Sequence, residues 1–339
     1  MRLTVVIVCF GGEATALLDE LGRQRGAGDE VVVVDNLASQ GGTRGVAGHS
    51  VIDRLIEPPI NLGYAAGVNL GAADAGGDAL LLLNPDAVPQ PGCLEALRAP
   101  PAGWQAWMGL VLLGDGTHVN TAGGVSHFLG FSWAGRYGEP ASALPSEPYA
   151  CGFLSGACLA VRIETWRVLG GFADHYFMYH EDVDLSHRLR LAGAPFGVLP
   201  AARVVHDYAF AKGAAKWRLL EANRWKTVLR TYPAPLLALV APILLVVELP
   251  LLAVAVAGGW LGPKLSAWAD VLAWLPRSPA ERRAIQAART VDADTFAAGL
   301  VSRLDSPFLG PVGRSRPLAM VLELLWRAVR SATRARRRG

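Results

Sequence analysis

The sequence has few cysteines, and their spacing excludes two kinds of protein. Its 339 residues include four cysteines, Cys9, Cys93, Cys151 and Cys158, and no two of them form a CxxC pair. Zinc knuckles and disulfide-stabilised secreted domains need closely spaced cysteines. The sequence therefore indicates free thiols in a reducing compartment, with the body of the protein in the cytoplasm.

Charged residues are also scarce, at 18% of the chain against 52% hydrophobic residues. The formal net charge of +3 hides an uneven distribution, because residues 262–339 hold 14 Lys/Arg against 6 Asp/Glu, whereas the rest holds 18 against 23. A basic C-terminal region is typical of proteins that meet an anionic surface, either nucleic acid or membrane.

Long apolar runs are rare as well. The run at residues 3–8 is too short for a signal peptide and predicts a first strand. Residues 235–257 could span a bilayer, but they contain Glu248, which opposes insertion by roughly 2–3 kcal/mol, and three prolines that interrupt a helix. We expect one or two helices in the membrane interface at the cytoplasmic face, and no nucleic-acid binding. A true span, or a buried helix in a dimer or domain interface, is the alternative.

What the sequence does contain is a regular alternation of strands and helices. Residues 4–10, 31–34 and 80–83 predict strands, with helical patterns between them. This alternation predicts an α/β fold with a doubly wound, mostly parallel sheet flanked by helices. We expect a catalytic domain over residues 1–230 and an apolar and basic helical region over residues 231–339.

Two of the predicted strands end in a carboxylate. Asp35 and Asn36 follow the second strand, and Asn84 and Asp86 follow the third. Carboxyl ends of parallel strands meet at the edge where open α/β sheets bind ligands. One acid there can accept hydrogen bonds from a nucleoside, while the other holds a divalent cation against a diphosphate. A role in shaping turns or caps is the alternative for both.

A glycine-rich segment precedes the third strand. Asn61, Gly63, Gly67 and Asn69 open a predicted helix in a pattern that is neither a Walker loop nor GxGxxG. Glycine allows close approach of a backbone, and a helix N-terminus favours anions. The segment therefore predicts contacts to the nucleotide.

A second acidic cluster follows a group of aromatic residues. Glu181 and Asp182 are adjacent, so their side chains point differently and one can face a cavity as a general base. His206 ends a later strand and could complete a metal site with Asp86. His118 and His127 are expected to be surface or loop residues rather than ligands.

In this order, these blocks resemble family 2 glycosyltransferases with a GT-A (Rossmann-like) fold, in the bacterial rhamnosyltransferase-like branch. The matching blocks, over roughly residues 3–230, are 5–10, 34–36, 61–69, 83–86, 152–162, 170–172, 177–188 and His206. The resemblance implies that Asp86 binds the metal in place of a DxD motif, with His206 as a further ligand. It places Asp35 at the base or ribose and Asp182 at the general base.

The function that the resemblance implies is an inverting transfer of a single sugar in cell-envelope assembly. It implies Mg²⁺ or Mn²⁺, a nucleotide-diphosphate sugar such as deoxythymidine-diphosphate rhamnose, and a lipid-linked or polysaccharide acceptor. The QxxRW motif of processive members is absent, and residues 9–11 and 36–40 depart from the family pattern at the base pocket. A nucleotidyltransferase and a catalytically inactive sugar-nucleotide-binding scaffold are the alternatives, and a homodimer stays open.

Overall fold

The computed structural model of the protein describes residues 1–206, 213–306 and 315–338, with side chains over residues 1–206, 216–306 and 315–335. The chain divides into two compact units. The first comprises residues 1–124, 134–185 and 194–208, and the second comprises residues 125–133, 186–193 and 209–339. The boundary that we expect at residue 230 falls inside the second unit.

A large mixed sheet forms the centre of the first unit. Its strands are β1 (Leu3–Cys9), β2 (Glu30–Asp35), β3 (Arg54–Ile56), β4 (Ala79–Leu83), β5 (Ala87–Pro89), β6 (Ala106–Leu112), β7 (Val119–Thr121), β10 (Tyr149–Ala150), β11 (Cys158–Arg162) and β12 (Phe196–His206). The order is β10-β12-β6-β11-β4-β1-β2-β3, with β5 beside β12 and β7 beside β6. The short strands β8 (Gly124–Ser126) and β9 (Ser132–Ala134) pair with each other in a separate sheet.

The parallel part of the sheet is the half built from β3, β2, β1 and β4. Val5 of β1 lies opposite Val31 on one side and Leu81 on the other, and all three are buried. Strands buried on both faces are typical of parallel sheets covered by helices. The predicted α/β class is confirmed, although β11 runs antiparallel between β4 and β6.

Five helices begin in the first unit: α1 (Thr15–Gln24), α2 (Gly63–Ala72), α3 (Cys93–Leu97), α4 (Ile163–Leu169) and α5 (Glu181–Leu191). Helix α4 ends at Gly170, whose φ of 76° provides a left-handed C-terminal residue. Helix α5 begins at Glu181. Residues 196–206 form one strand with an irregularity between Leu199 and Arg203.

The second unit is helical. Its helices are α6 (Gly213–Thr231), α7 (Ala234–Ala257), α8 (Leu261–Trp274), α9 (Ser278–Ala287), α10 (Ala293–Ala297) and α11 (Arg316–Arg338). Its hydrophobic core brings together Tyr232, Leu236, Phe296 and Trp326. The predicted helical character of this region is confirmed. The expected interruption by proline is wrong, since Pro242 and Pro250 lie inside the single helix α7.

Four buried charges connect α6, α7 and α8. Glu248 Oε1 of α7 accepts a 2.5 Å hydrogen bond from Arg224, and its Oε2 lies 2.7 Å from Lys264 Nζ. Both cations also contact Glu221, Arg224 at 3.1 Å. Burial alone would raise the pKa of Glu221, but Arg224 and Lys264 lower it to about 2. Glu248, the residue expected to oppose membrane insertion, is thus enclosed in a group of two cations and two carboxylates with no net charge.

Candidate active site

The carboxyl ends of β1, β2 and β4 bring two predicted site residues together. Cys9 ends β1 and lies in register with Asp35 of β2. Burial, then the charge of Asp35 and, more weakly, that of Asp86, raises the pKa of the Cys9 thiol to about 12. Asp35 and Asp86 therefore lie at one edge of the sheet, as the strand pattern predicts.

Asp86 faces His206 across two paired strands. The antiparallel register of β5 and β12 sets His206 opposite Ala87, the residue after Asp86. His206 Nε2 lies 3.0 Å from Asp86 Oδ1, with the imidazole buried and the carboxylate half exposed. Asn84 shapes the turn before β5, since its carbonyl accepts a hydrogen bond from the Ala87 N–H. Register thus brings together the two residues that we predicted as metal ligands.

The Asp86–His206 pair has suitable donors for a divalent cation. A carboxylate oxygen and an imidazole nitrogen both suit Mn²⁺-like ions, and Mg²⁺ in phosphoryl sites binds one or two carboxylates while phosphates supply other ligands. In the part of the chain that the structure describes, no group of three or more His, Cys, Asp or Glu side chains could hold a metal. The two residues fit a cation whose remaining ligands come from a diphosphate and water.

Asp35 has a local structural role. Its Oδ1 accepts hydrogen bonds from the Leu37 N–H (3.0 Å) and the Thr43 hydroxyl (2.9 Å), and its Oδ2 accepts from the Thr43 N–H (2.7 Å). Asp35 therefore organises the loop after β2, and its contact with a nucleotide stays a prediction.

The Asn61–Asn69 pattern also serves the fold. Asn36 accepts from the Leu62 N–H and donates to the Gly63 carbonyl, and Asn61 caps the Gly63 N–H. A Cβ on Gly67 would lie 2.8 Å from Val8 Cγ1, so this glycine allows α2 to pack closely on β1. Asn69 donates to the Phe172 carbonyl and accepts from its N–H.

The N–H groups at the start of α2, where we expect contacts to a nucleotide, make hydrogen bonds within the chain, and those contacts stay a prediction. The N–H groups of Tyr64 and Ala65 donate to the Phe177 carbonyl at 2.6 and 3.1 Å. Together with the capped Gly63, these donors are already satisfied within the chain, which the spacing of Asn61 and Asn69 could not reveal.

Two adjacent acids open α5: Glu181, which is buried, and Asp182, which is partly exposed. Burial, then the neighbouring charge of Asp182, holds the pKa of Glu181 well above its usual range. Burial also raises the pKa of Asp182 to about 6, although N–H bonds from Gly156 (3.1 Å) and Val183 (2.8 Å) lower it. Among the described residues, Glu181 Oε2 has no hydrogen-bond partner. Perturbed carboxylates of this kind mark candidate acid–base sites.

The segment before this pair has an unusual backbone. Phe177, Tyr179 and His180 all have positive φ, at 59°, 68° and 70°. Non-glycine residues in this region are uncommon, and such strain is concentrated at functional sites. The sequence drew attention to the aromatic residues here, but nothing in it indicates a left-handed backbone. His127 lies in the connection between β8 and β9 and is buried, with Nε2 2.9 Å from the Ser302 carbonyl. It is therefore a loop residue, one of the two expected positions, but not a surface residue.

The chain matches a family model and curated proteins over part of its length. A family model described as glycosyl transferase family 2 matches residues 4–100. N-acetylglucosaminyl-diphospho-decaprenol L-rhamnosyltransferase of Mycobacterium tuberculosis is 33% identical over 208 residues, covering 54% of this chain and 68% of that protein. Rhamnosyltransferase WbbL of Escherichia coli is 34% identical over 76 residues, covering 21% of this chain and 29% of that protein.

A solved structure shares the fold. The crystal structure of GalNAc-T7 with UDP, GalNAc and Mn²⁺ superposes with a TM-score of 0.55 and 16% sequence identity, over 69% of this chain and 48% of that chain. The likeness concerns the fold alone.

Proposed function

Because the chain belongs to glycosyltransferase family 2, we propose that it is an inverting, metal-dependent rhamnosyltransferase that adds a single sugar to a lipid-linked acceptor of the cell envelope. The observation that carries the metal-dependent donor site is the Asp86–His206 pair, 3.0 Å apart at the carboxyl edge of the sheet. The sugar and the acceptor class follow the name of the mycobacterial relative.

The donor is a nucleotide-diphosphate sugar, for which deoxythymidine-diphosphate rhamnose is the specific proposal. Asp86 and His206 would hold Mg²⁺ or Mn²⁺, which when bound neutralises the charge that develops on the leaving diphosphate. The buried imidazole fixes the half-exposed carboxylate against one side of the site. The chain itself thus supplies a positioned anionic ligand at the sheet edge.

Asp182 acts as the general base. Its pKa of about 6 leaves it ionised at neutral pH yet close enough to neutrality to take a proton. The acceptor hydroxyl gives its proton to Asp182 as its oxygen bonds to the anomeric carbon, and the bond from that carbon to the diphosphate oxygen breaks. Attack opposite the leaving group inverts the anomeric configuration. Glu181, whose raised pKa favours the neutral acid, limits the negative charge beside the base.

A lipid-linked acceptor lies in a membrane, and the second unit has an exposed apolar surface that suits membrane binding. By length and composition, helix α7 is apolar enough to cross a membrane. Only 22% of its most apolar 18-residue stretch is buried. Leu245, Val246 and Leu249 are 65%, 66% and 73% exposed, while Glu248 is enclosed in the charge network. Exposed apolar faces of this kind mark protein or membrane contacts.

Helix α11 adds the charge that selects the lipid. It buries Leu322, Trp326 and Val329 but exposes Met320, Val321 and Leu324, and its later turns are rich in arginine. Apolar side chains beside arginines are typical of helices that lie in an anionic membrane interface. We therefore place the protein peripherally at the cytoplasmic face of the membrane.

Vesicle flotation of the full chain tests the surface. We expect flotation with phosphatidylglycerol vesicles and little with phosphatidylcholine, and at least about a tenfold loss on Leu245→Asp with Leu249→Asp. Val168→Asp is the matched control, since Val168 is a single exposed apolar residue of α4, 83% exposed. Undiminished flotation of the double variant contradicts the proposal. The wild type could instead fail to float with vesicles and form a dimer, while the double variant stays monomeric. That result would assign the apolar face of α7 to contact with a second copy of the chain.

The donor site is tested with nucleotide sugars, Mn²⁺ and purified protein, by thermal stabilisation and donor hydrolysis. We expect selective stabilisation by deoxythymidine-diphosphate rhamnose with metal, and its loss in Asp86→Ala. Asp115→Ala is the control, because Asp115 also pairs with a histidine, His118, at 2.6 Å on the protein surface. Transfer of the nucleotide instead of the sugar supports the nucleotidyltransferase alternative, and binding without turnover supports the scaffold.

A further inference from the structure

We propose that Gly63 and Tyr64 are positioning residues for Asp182, acting through the Phe177 turn and the Gly156 peptide. The inference rests on the proposed function, because it assigns these residues to the base of that reaction. Neither residue touches a reacting atom, and both act through backbone that leads to the carboxylate.

The first link is a γ-turn centred on Phe177. Its φ of 59° and ψ of −64° belong to the rare, strained form of this turn. The Met178 N–H donates to the Tyr176 carbonyl at 2.6 Å, which closes the three-residue ring. A strained turn persists only when its surroundings hold it.

The N-terminus of α2 holds this turn. The Phe177 carbonyl accepts from the N–H groups of Tyr64 (2.6 Å) and Ala65 (3.1 Å), which no residue of α2 can satisfy at a helix start. Gly63 has a φ of +77°, and a Cβ on it would lie 2.6 Å from the Phe177 carbonyl oxygen and 2.5 Å from its ring. Only glycine allows the two segments to approach so closely.

The turn leads directly to the carboxylates. Tyr179 and His180 continue with left-handed φ values of 68° and 70°, and Glu181 is the next residue and the first of α5. Because three of the four residues that precede Glu181 have left-handed φ values, a displacement of the Phe177 carbonyl moves the start of α5 and the two acids on it.

Tyr64 supplies a second tether on the other side of the pair. Its hydroxyl donates to the Gly156 carbonyl at 2.8 Å, and the Gly156 N–H donates to Asp182 Oδ2 at 3.1 Å. One residue therefore fixes the backbone before Asp182 and the peptide that binds its carboxylate. Burial, then Glu181 and Asp182, holds the pKa of Tyr64 well above its usual range, so the hydroxyl keeps its proton. Asp184 is the further acid whose charge acts on Glu181.

The first test compares Gly63→Ala with Gly71→Ala. Both add a methyl group to α2, but a Cβ on Gly71 meets Val6 and Val34 of the sheet and not the Phe177 turn. We expect Gly63→Ala to lower kcat about 10- to 100-fold with donor Kd within about twofold, since misplacement by about 1 Å costs this much. Gly71→Ala should stay within about threefold among folded molecules. Equal losses in the two variants overturn the proposal.

The second test removes one hydroxyl, and it still decides the proposal if Gly63→Ala does not fold. Tyr64→Phe should lower kcat about 3- to 10-fold, and Tyr149→Phe, which loses a similar bond to the Ala122 carbonyl, should not. NMR titration of ¹³C-labelled aspartate, with Asp182→Asn to assign the signal, measures the pKa of Asp182. This pKa should rise in Tyr64→Phe, because the Gly156 N–H that donates to Asp182 is no longer held in place. An unchanged titration refutes the tether. A wild type that transfers no sugar refutes the proposed function, while the titration still decides the tether.

Discussion

The two units bury charge in opposite ways. In the first unit, Glu181 and Asp182 lie side by side, and burial raises the pKa of both. In the second, Arg224 and Lys264 enclose Glu221 and Glu248, and the pKa of Glu221 falls to about 2. Buried charges that are paired hold elements together, whereas buried like charges are costly and persist where chemistry uses them.

The comparison is tested most strongly at Asp182. Asp182→Asn keeps the side-chain shape but cannot take a proton, so we expect kcat to fall about 10²- to 10⁴-fold with donor binding retained. Steady-state kinetics and donor titration measure the two effects. A near-normal rate would move the base to Glu181 and remove the contrast between the units.

The charge network of the second unit should contribute to the stability of the fold. Its members are Glu221, Arg224, Glu248 and Lys264. Glu248→Ala leaves Arg224 and Lys264 with one carboxylate between them, so we expect a loss of about 3–5 kcal/mol in the free energy of urea unfolding. Glu323→Ala breaks the exposed pair with Arg327 and should cost less than about 1 kcal/mol. Similar losses in both variants would mean that burial does not strengthen the network.

The smallest effect is a pH dependence in the first unit. Because the folded chain holds the Glu181 proton above the usual pKa, the unfolded chain binds fewer protons there and stability falls as pH rises. Glu181→Gln cannot ionise, so its stability relative to wild type should increase from pH 5 to pH 8. Urea unfolding at both pH values measures this, with the exposed Glu57→Gln as control. A parallel decline in wild type and Glu181→Gln would show that Glu181 is ionised in the fold.

The sequence predicts those features that depend on local pattern. The apolar runs place β1, β2 and β4 correctly, and their order brings Asp35 and Asp86 to one edge. The Asp86–His206 pair was a harder prediction, but it depends only on two strand ends meeting in register. In these cases the physics of one strand or of a pair of neighbouring strands decides the answer.

The features missed depend on contacts between distant residues. Glu248 reads as a lone acid in an apolar run, because its partner Arg224 lies 24 positions away and Lys264 lies in another helix. The sequence does not reveal that a Cβ on Gly63 would collide with the Phe177 turn, because Phe177 is far along the chain. No periodicity of the sequence encodes either approach.

The charge network also limits where the chain can be shortened. Arg224 and Glu221 precede α7 and Lys264 follows it, so a chain that ends between α7 and α8 keeps two buried carboxylates for one cation. The exposed apolar face of α7 would then be joined by an unbalanced charge on its buried side. A shortened form for biochemical work should therefore either stop before α6 or continue beyond Lys264. During synthesis the growing chain passes through the same unbalanced state, because Glu248 of α7 is translated before Lys264, which pairs with it.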